Sequence, residues 1–249
     1  MKLRVVIFDI YKTLLDVSPP PADASLRWQN LWTTTFKGAM QLNLEEFDVA
    51  CKKVIAREHD LARANGIAHP EIYWPTVTSE ALPELKRLPM EARDEFLYEH
   101  AQLQRTVRLM DGAAEILNRL LQEKIILGIA SNAQPYTLRE VDDALAVANL
   151  SRKIFSRELT FFSFENGFSK PDPHVFRLLT ARAHVIGIMP EEILMVGDRL
   201  DNDIAPARDA RWQTWHFNGD AKNGAGDWNQ FMSAVCAGIA FRDPDGSTT

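Results

Sequence analysis

Leu3-Arg4-Val5-Val6-Ile7-Phe8-Asp9-Ile10-Tyr11-Lys12-Thr13-Leu14-Leu15-Asp16-Val17 is the stretch from which the rest of the chain can be read. Leu3 to Phe8 is an almost unbroken apolar, β-branched run, the pattern of a strand buried on both faces of a parallel sheet. The run stops at Asp9, which this reading puts at the carboxyl end of the strand. Ligands of open α/β sheets bind beyond such ends. Further on, Ser18-Pro19-Pro20-Pro21 lacks three backbone donors and has its φ angles fixed, so it predicts a stiff hinge. A proline-rich partner ligand is the alternative use of such a run.

From about Ala22 to Arg108 the apolar spacing is helical: Leu26, Trp28, Leu31 and Trp32 on one face, then Phe47, Val49, Ala50 and Val54, then Leu82, Leu85 and Leu88. No strand is predicted there. From Leu109 the rhythm changes. Asp111-Gly112 opens a helix, and the run Ile125 to Ala130 ends at Ser131-Asn132. A helix from Thr137 to about Ala148, a short strand near Lys153 to Phe155 and a helix after Pro173 follow. The run Ile193 to Val196, ending at Gly197-Asp198, and a strand over Gln213 to Phe217 complete the alternation. It predicts an open, mostly parallel sheet with right-handed crossovers. The implied division is an α/β core over 1–17 and 107–241, a helical insert over 18–106, and a fraying tail over 242–249.

Composition narrows the function classes. The chain has 249 residues, 46% hydrophobic and 25% charged, which is ordinary for a folded protein of one or two lobes. A formal charge of −6 opposes broad attraction to nucleic acid or anionic lipid. Cys51 and Cys236 have no paired Cys or His at ligand spacing, so both read as buried free thiols. No stretch approaches the ~20 apolar residues of a spanning helix, and the apolar run before Asp9 is too short for a signal segment. The expected partner is a small molecule, not nucleic acid or membrane, and the expected address is the cytoplasm.

Asp9, Ser131 and Asp198 all fall at strand ends, and Lys170 arrives on a loop before Pro171, so acid, hydroxyl and cation are expected around one crevice. Singly, each has a plain structural reading as a helix cap, a turn or a solvated loop lysine.

Four motifs, Phe8-Asp9-Ile10-Tyr11-Lys12-Thr13-Leu14, Ala130-Ser131-Asn132, Lys170-Pro171-Asp172-Pro173, and Gly197-Asp198 through Asn202-Asp203, occur in the order found in the haloacid dehalogenase superfamily. The sequence resembles that family over residues 5 to about 217. The resemblance implies a Rossmann-like core (the HAD fold) with an α-helical cap of the first type between the first two motifs. It implies Asp9 as the attacking carboxylate, Thr13 as its orienting neighbour, Ser131 as the ligand of the transferred group, Lys170 as the balancing cation, and Tyr11, Ser131, Asn132 and Lys170 as the substrate-binding set. It also implies Mg²⁺ held by Asp9, Asp198, Asp203 and the Tyr11 carbonyl. The chemistry suits these residue types: a carboxylate can form a covalent ester, a phosphate dianion must be neutralised before it can be attacked, and a hard oxygen site favours Mg²⁺.

Two motifs point in different directions. Phosphatases of the superfamily carry a second Asp two residues after the nucleophile as general acid and base. Here that position is Tyr11, which resembles the haloacid dehalogenases, and Lys12 replaces the small residue usual before the Thr. The fourth motif, Gly197-Asp198-Arg199-Leu200-Asp201-Asn202-Asp203, resembles the acidic, metal-binding phosphatase form. Two acids beside Asp9 are costly without a cation, so the expected function is a Mg²⁺-dependent phosphatase acting on a small metabolite. The alternatives are a metal-independent 2-haloacid dehalogenase and a weakly active ligand-binding relative. Glu58, His59 and His69 are candidates by residue type for the missing acid or base, Trp28, Trp32 and Trp74 for a pocket lining, and Arg27 and Lys37 for a substrate carboxylate. Surface or core packing is the plainer role for each.

Overall fold

The run opening the chain forms β1 (Val5–Phe8), with all four side chains buried, at the centre of a computed structural model that describes residues 3–217 and 225–236. β1 pairs in parallel with β4 (Ile126–Ser131) on one side and β6 (Ile193–Gly197) on the other. β5 (Phe155–Phe162) extends the sheet beyond β4; β7 (Gln213–Phe217) and the short β8 (Ala225–Gly226) extend it beyond β6. The order β5-β4-β1-β6-β7-β8 is parallel throughout. Successive crossovers leave β1 on opposite sides, which opens a crevice at its carboxyl end.

Helices cover both faces, as a parallel sheet requires. On one face α5 (Ala113–Gln122), α6 (Pro135–Val147) and α10 (Trp228–Cys236) enclose Phe8, Ile116, Leu117, Val141, Leu145 and Phe231. On the other, α8 (Pro173–Val185) and α9 (Ala205–Asp209) pack over Ile7, Phe161, Val175, Phe176 and Trp212. A full side chain of this kind contributes about 1.5–3 kcal/mol when buried. A short helix, α7 (Ser163–Asn166), follows β5. At Gly128 a Cβ would lie 2.2 Å from the Leu159 oxygen, so β4 and β5 approach this closely only because that residue is glycine.

The segment between β1 and β4 leaves the core through an antiparallel ribbon. β2 (Leu15–Ser18) pairs with β3 (Thr106–Leu109), placing Leu15 opposite Leu109 and Val17 opposite Val107. This corrects the helical reading up to Arg108: Val107 and Leu109 alternate with exposed Thr106 and Arg108, a period too short to show against the preceding helix. Between the ribbon strands lie α1 (Ala24–Phe36), α2 (Leu44–Ala64), α3 (Trp74–Ala81) and α4 (Met90–Gln104). They share a separate core in which Trp28 stacks on Phe47 at 5.1 Å and meets Phe96 edge-on at 5.7 Å. Each such pair contributes about 0.5–1.5 kcal/mol beyond burial. Leu26 and Val49, read with the apolar faces, are exposed, because the buried set of α1 is Trp28 and Trp32 and that of α2 is Phe47, Cys51 and Val54.

The strand expected near Lys153 to Phe155 is displaced. Arg152–Ile154 is a single tight turn capped by Ser151, and the strand runs on from Phe155 to Phe162. Its polar Ser156-Arg157-Glu158 stretch faces outward on an edge strand, which hid the element from a search for apolar runs. Cys51 is a buried free thiol, pushed up to about 12 by burial and by neighbouring Asp48. The Cys236 side chain and the 242–249 tail lie outside the described residues. Among those described, no helix is long and apolar enough to cross a membrane.

Candidate functional site

Because β4, β1 and β6 are adjacent and parallel, their carboxyl ends bring Ser131, Asp9 and Asp198 to the mouth of one crevice. The Asp9 amide donates to the Val196 carbonyl at 2.9 Å, which locks the turn after β1 against β6. Lys170 reaches the same point from the loop after α7, and its ammonium donates to Asp9 Oδ1 at 2.8 Å and Asp203 Oδ1 at 2.5 Å. Asp203 sits on the wide turn Leu200–Ile204, where its Oδ2 accepts from the Arg199 amide at 3.1 Å. A Cβ on Gly197 would come within 2.4 Å of the Asp203 carboxylate, so the glycine before Asp198 makes room for the second acid. One ligand oxygen from each of Asp9, Asp198 and Asp203 lies within 4.8 Å of the others.

The charges do not balance within this cluster. Three carboxylates face a single bonded ammonium, and all but Asp198 are buried. Burial, followed by Asp9 as a like-charged neighbour, raises Asp198. Asp203 is pushed up to about 6, first by burial and then by Asp9, against the attraction of Lys170. Burial draws the Lys170 ammonium down, but Asp203 and Asp9 outweigh it and hold the group above its ordinary value. Among the described residues Lys170 is the one cation bonded to the acids, and Lys12 acts on Asp198 without a bond, so the cluster keeps an excess of negative charge, which a divalent cation would neutralise. The oxygen-only donor set fits Mg²⁺.

Two hydroxyls at the crevice have no partner among the described residues. Ser131 Oγ and Thr13 Oγ1 are both buried and make no hydrogen bond, an arrangement that costs about 1–3 kcal/mol per group unless a ligand supplies the missing bond. Thr13, expected to orient Asp9, therefore does not do so through its hydroxyl. Asn132 also differs from expectation. Its side-chain amide donates to the Lys170 carbonyl at 2.9 Å and accepts from the Lys170 amide at 2.7 Å, so it fixes the lysine loop.

Tyr11 has a definite place. Its hydroxyl donates to Glu140 Oε2 at 2.5 Å, lies 2.7 Å from Thr137 Oγ1, and accepts from Arg105 Nη2 at 2.6 Å. The guanidinium also lies over the ring at 4.5 Å. Burial, only partly opposed by Arg105, puts the phenol well above its ordinary value, with Glu140 adding to the rise. A side chain held this way supplies no acid or base to the crevice. Arg105, Thr137 and Glu140 escaped the sequence reading. The signal was a glutamate in register with Val141, Ala144 and Leu145 on the buried face of α6, where an acid is rare unless paired.

The residues picked by type in the helical insert fall in several places. Glu58 pairs with Arg57, and Arg27 with Asp23, on the surface. Lys37 ends α1 in a left-handed conformation and is exposed. Trp28 and Trp32 are packed in the insert's own core. His59 Nε2 is buried without a partner. The main chain of His69 accepts from the Ser169 amide at 2.9 Å. That contact belongs to a seam where the insert meets the core: Glu71 accepts from Ser163 Oγ at 2.5 Å and from Gln134 Nε2 at 3.1 Å, while the Trp74 amide donates to Gln134 Oε1 at 2.8 Å.

The raised acids would make the binding of a cation depend on pH. A carboxyl whose folded value exceeds its unfolded one favours the folded state fully below the unfolded value of ~3.9. For Asp203 that contribution disappears as pH rises through about 6. Above that point its charge opposes folding unless a cation offsets it. Mg²⁺ at ~10 mM is therefore expected to raise the Tm by several degrees at about pH 7.5 and by little at about pH 5, where protons compete. Differential scanning fluorimetry at the two pH values measures this, and an equal shift at both would contradict it.

Comparison with known proteins agrees with this architecture. The chain is 26% identical to a hydrolase of Schizosaccharomyces pombe, over 85% of its own length and 89% of the relative's. It is 25% identical to a glyceraldehyde 3-phosphate phosphatase of Pyrococcus furiosus, over 87% and 81%. Among solved structures, a 2-haloacid dehalogenase from Pseudomonas syringae pv. tomato superposes with a TM-score of 0.59 at 17% identity, covering 94% of this chain and 99% of the other, a likeness of fold. The model of the haloacid dehalogenase-like hydrolases matches residues 3–211, through the strand ends that build the crevice, and the chain belongs to that hydrolase family.

Proposed function

We propose that this hydrolase is a Mg²⁺-dependent phosphatase of small phosphorylated metabolites, with Asp9 as nucleophile and the helical insert over 18–106 as a cap. The observation that carries the reading is the charge imbalance: three carboxylates with ligand atoms within 4.8 Å, against one bonded lysine. Asp9, Asp198, Asp203 and the Tyr11 carbonyl would hold the ion. When bound, Mg²⁺ offsets the charge of the phosphate and of the acids around it.

The chain's own groups do the remainder. Asp9 attacks phosphorus, the bond from phosphorus to the leaving oxygen breaks, and that oxygen departs with the electron pair. Lys170 stays bonded to Asp9 and compensates the incoming charge. The unpartnered Ser131 hydroxyl has a free donor for a phosphoryl oxygen. Water then cleaves the aspartyl phosphate, releasing orthophosphate and restoring Asp9. The Pyrococcus relative, named a phosphatase, supports this reading.

Tyr11 sets the substrate preference. A positioned acid or base contributes about 10²–10⁴ in rate, and the Tyr11 hydroxyl is committed to Glu140. Leaving groups that need no proton are favoured, so acetyl phosphate and aryl phosphates are expected to turn over faster than alkyl phosphates by about that factor. Phosphate release measured across the three classes, with Mg²⁺ and with EDTA, tests the proposal. EDTA-resistant release, or a preference for alkyl esters, would overturn it.

The second reading is a 2-haloacid dehalogenase, favoured by Tyr11 in the first motif. It requires halide release from a 2-haloacid that survives EDTA, and no phosphate release in the same preparation.

A further inference from the structure

A second cleft, of about 250 Å³, opens where the helical insert meets α6, and none of Asp9, Ser131, Lys170, Asp198 or Asp203 lines it. Its walls include Asp48 and Lys52 of α2, Trp74 of α3, His100 of α4, Arg105 and Tyr136. The volume is several times the ~30 Å³ share of one water, enough for a small organic molecule.

The lining is rich in donors that have nothing to donate to. Trp74 Nε1 and Arg105 Nε are buried without partners among the described residues. His100 is only 2% exposed; its Nδ1 has no partner among the described residues, while its Nε2 faces the Asp48 carboxylate. Indole and guanidinium nitrogens donate and never accept, so nothing but an acceptor satisfies them. The one carboxylate in the wall, Asp48, is already engaged: Gln104 Nε2 donates to its two oxygens at 3.2 and 3.0 Å, and His100 Nε2 stands 3.5 Å away. Lys52 offsets the charge of Asp48, and Arg105, whose Nη2 is paired with buried Glu140 at 3.0 Å, keeps its Nε free. The Trp74 indole and His100 imidazole stack at 5.9 Å with 22° between their planes, presenting flat surface beside these donors.

We propose that this cleft is a second ligand site, taking a small planar molecule that bears a carboxylate. The carboxylate supplies acceptors to Trp74, Arg105 and His100, and the planar part lies against the aromatic wall. Arg105 connects the cleft to the nucleophile loop, since its Nη2 donates to the Tyr11 hydroxyl at 2.6 Å, and Tyr11 stands two residues from Asp9. The inference is independent of whether the crevice handles phosphate or halide.

Isothermal titration of the full chain with benzoate tests it, with benzyl alcohol as the uncharged counterpart. Saturable benzoate binding is expected, with no comparable binding of the alcohol. Trp74→Phe keeps a ring and removes the donor, and is expected to weaken binding about tenfold. Lys52→Met, on an exposed position that does not threaten the fold, is expected to weaken it about threefold. Asp9→Asn is expected to leave it unchanged. Absence of saturable binding, equal affinity in both cleft variants, or loss in Asp9→Asn, which would assign the ligand to the crevice, would each overturn the proposal. Phosphate release assayed on the same preparation keeps this result separate from the fate of the phosphatase reading.

Discussion

Replacing Asp9 by asparagine is expected to lower phosphate release by at least ~10³-fold while leaving a folded protein. The amide occupies the same volume but is a poor nucleophile, so no acyl phosphate forms at this position. Stability is expected to hold because the substitution removes one of three clustered acids. Lys170 retains Asp203 at 2.5 Å, and Asp9 is one of the charges that raise both Asp198 and Asp203. In the variant those two acids therefore titrate lower than in the parent. Steady-state release of orthophosphate, with intact-mass analysis for a phosphorylated chain, is the measurement. A phosphorylated Asp9→Asn protein, or a rate near that of the parent, would place the nucleophile elsewhere.

Lys170→Met is expected to have the largest effect on stability. Its ammonium is buried and bonded to Asp9 and Asp203, and its removal leaves three neighbouring carboxylates with no bonded cation. Breaking a buried pair in this way costs about 3–5 kcal/mol. At roughly 2–4 °C per kcal/mol for a chain of this size, the Tm should fall by about 6–20 °C at neutral pH. The sign with pH follows from the raised acids. Protonation removes the uncompensated charge, so the deficit relative to the parent should shrink as pH falls through about 6, where Asp203 already titrates in the parent. Mg²⁺ should narrow the gap at neutral pH. Thermal melts of parent and variant across this range, with and without Mg²⁺, test the prediction. An unchanged neutral-pH Tm would mean that the lysine contributes nothing to holding the acids together. Activity is expected to be lost in either case, since Lys170 is bonded to Asp9, the proposed nucleophile.

Sheet, strand ends and the acids that gather beside Asp9 were legible in the sequence because each leaves a local mark. A strand buried on both faces must be apolar throughout, which Val5–Phe8 and Ile193–Val196 are, and the polar residue that ends such a run marks the strand's carboxyl end. The ribbon of β2 and β3 was hidden because four residues of alternation carry too little pattern beside a helix of fifteen. β5 was misplaced because an edge strand needs no continuous apolar run.

Tyr11 marks the boundary between the two kinds of knowledge. Its identity shows from the sequence alone that the usual acid is missing. The fate of its hydroxyl depends on Arg105, Thr137 and Glu140, which lie between 94 and 129 positions away. The same holds for the paired contacts of Asn132 with Lys170, the two unpartnered hydroxyls and the donor-lined cleft of Trp74, His100 and Arg105. By itself the sequence determined the α/β core, the helical insert and which acids gather beside Asp9, because backbone periodicity and strand order fix where strand ends meet. Only the tertiary structure decided which polar groups are satisfied and which still lack a partner, because hydrogen bonding acts over about 3 Å and depends on residues brought together by the fold.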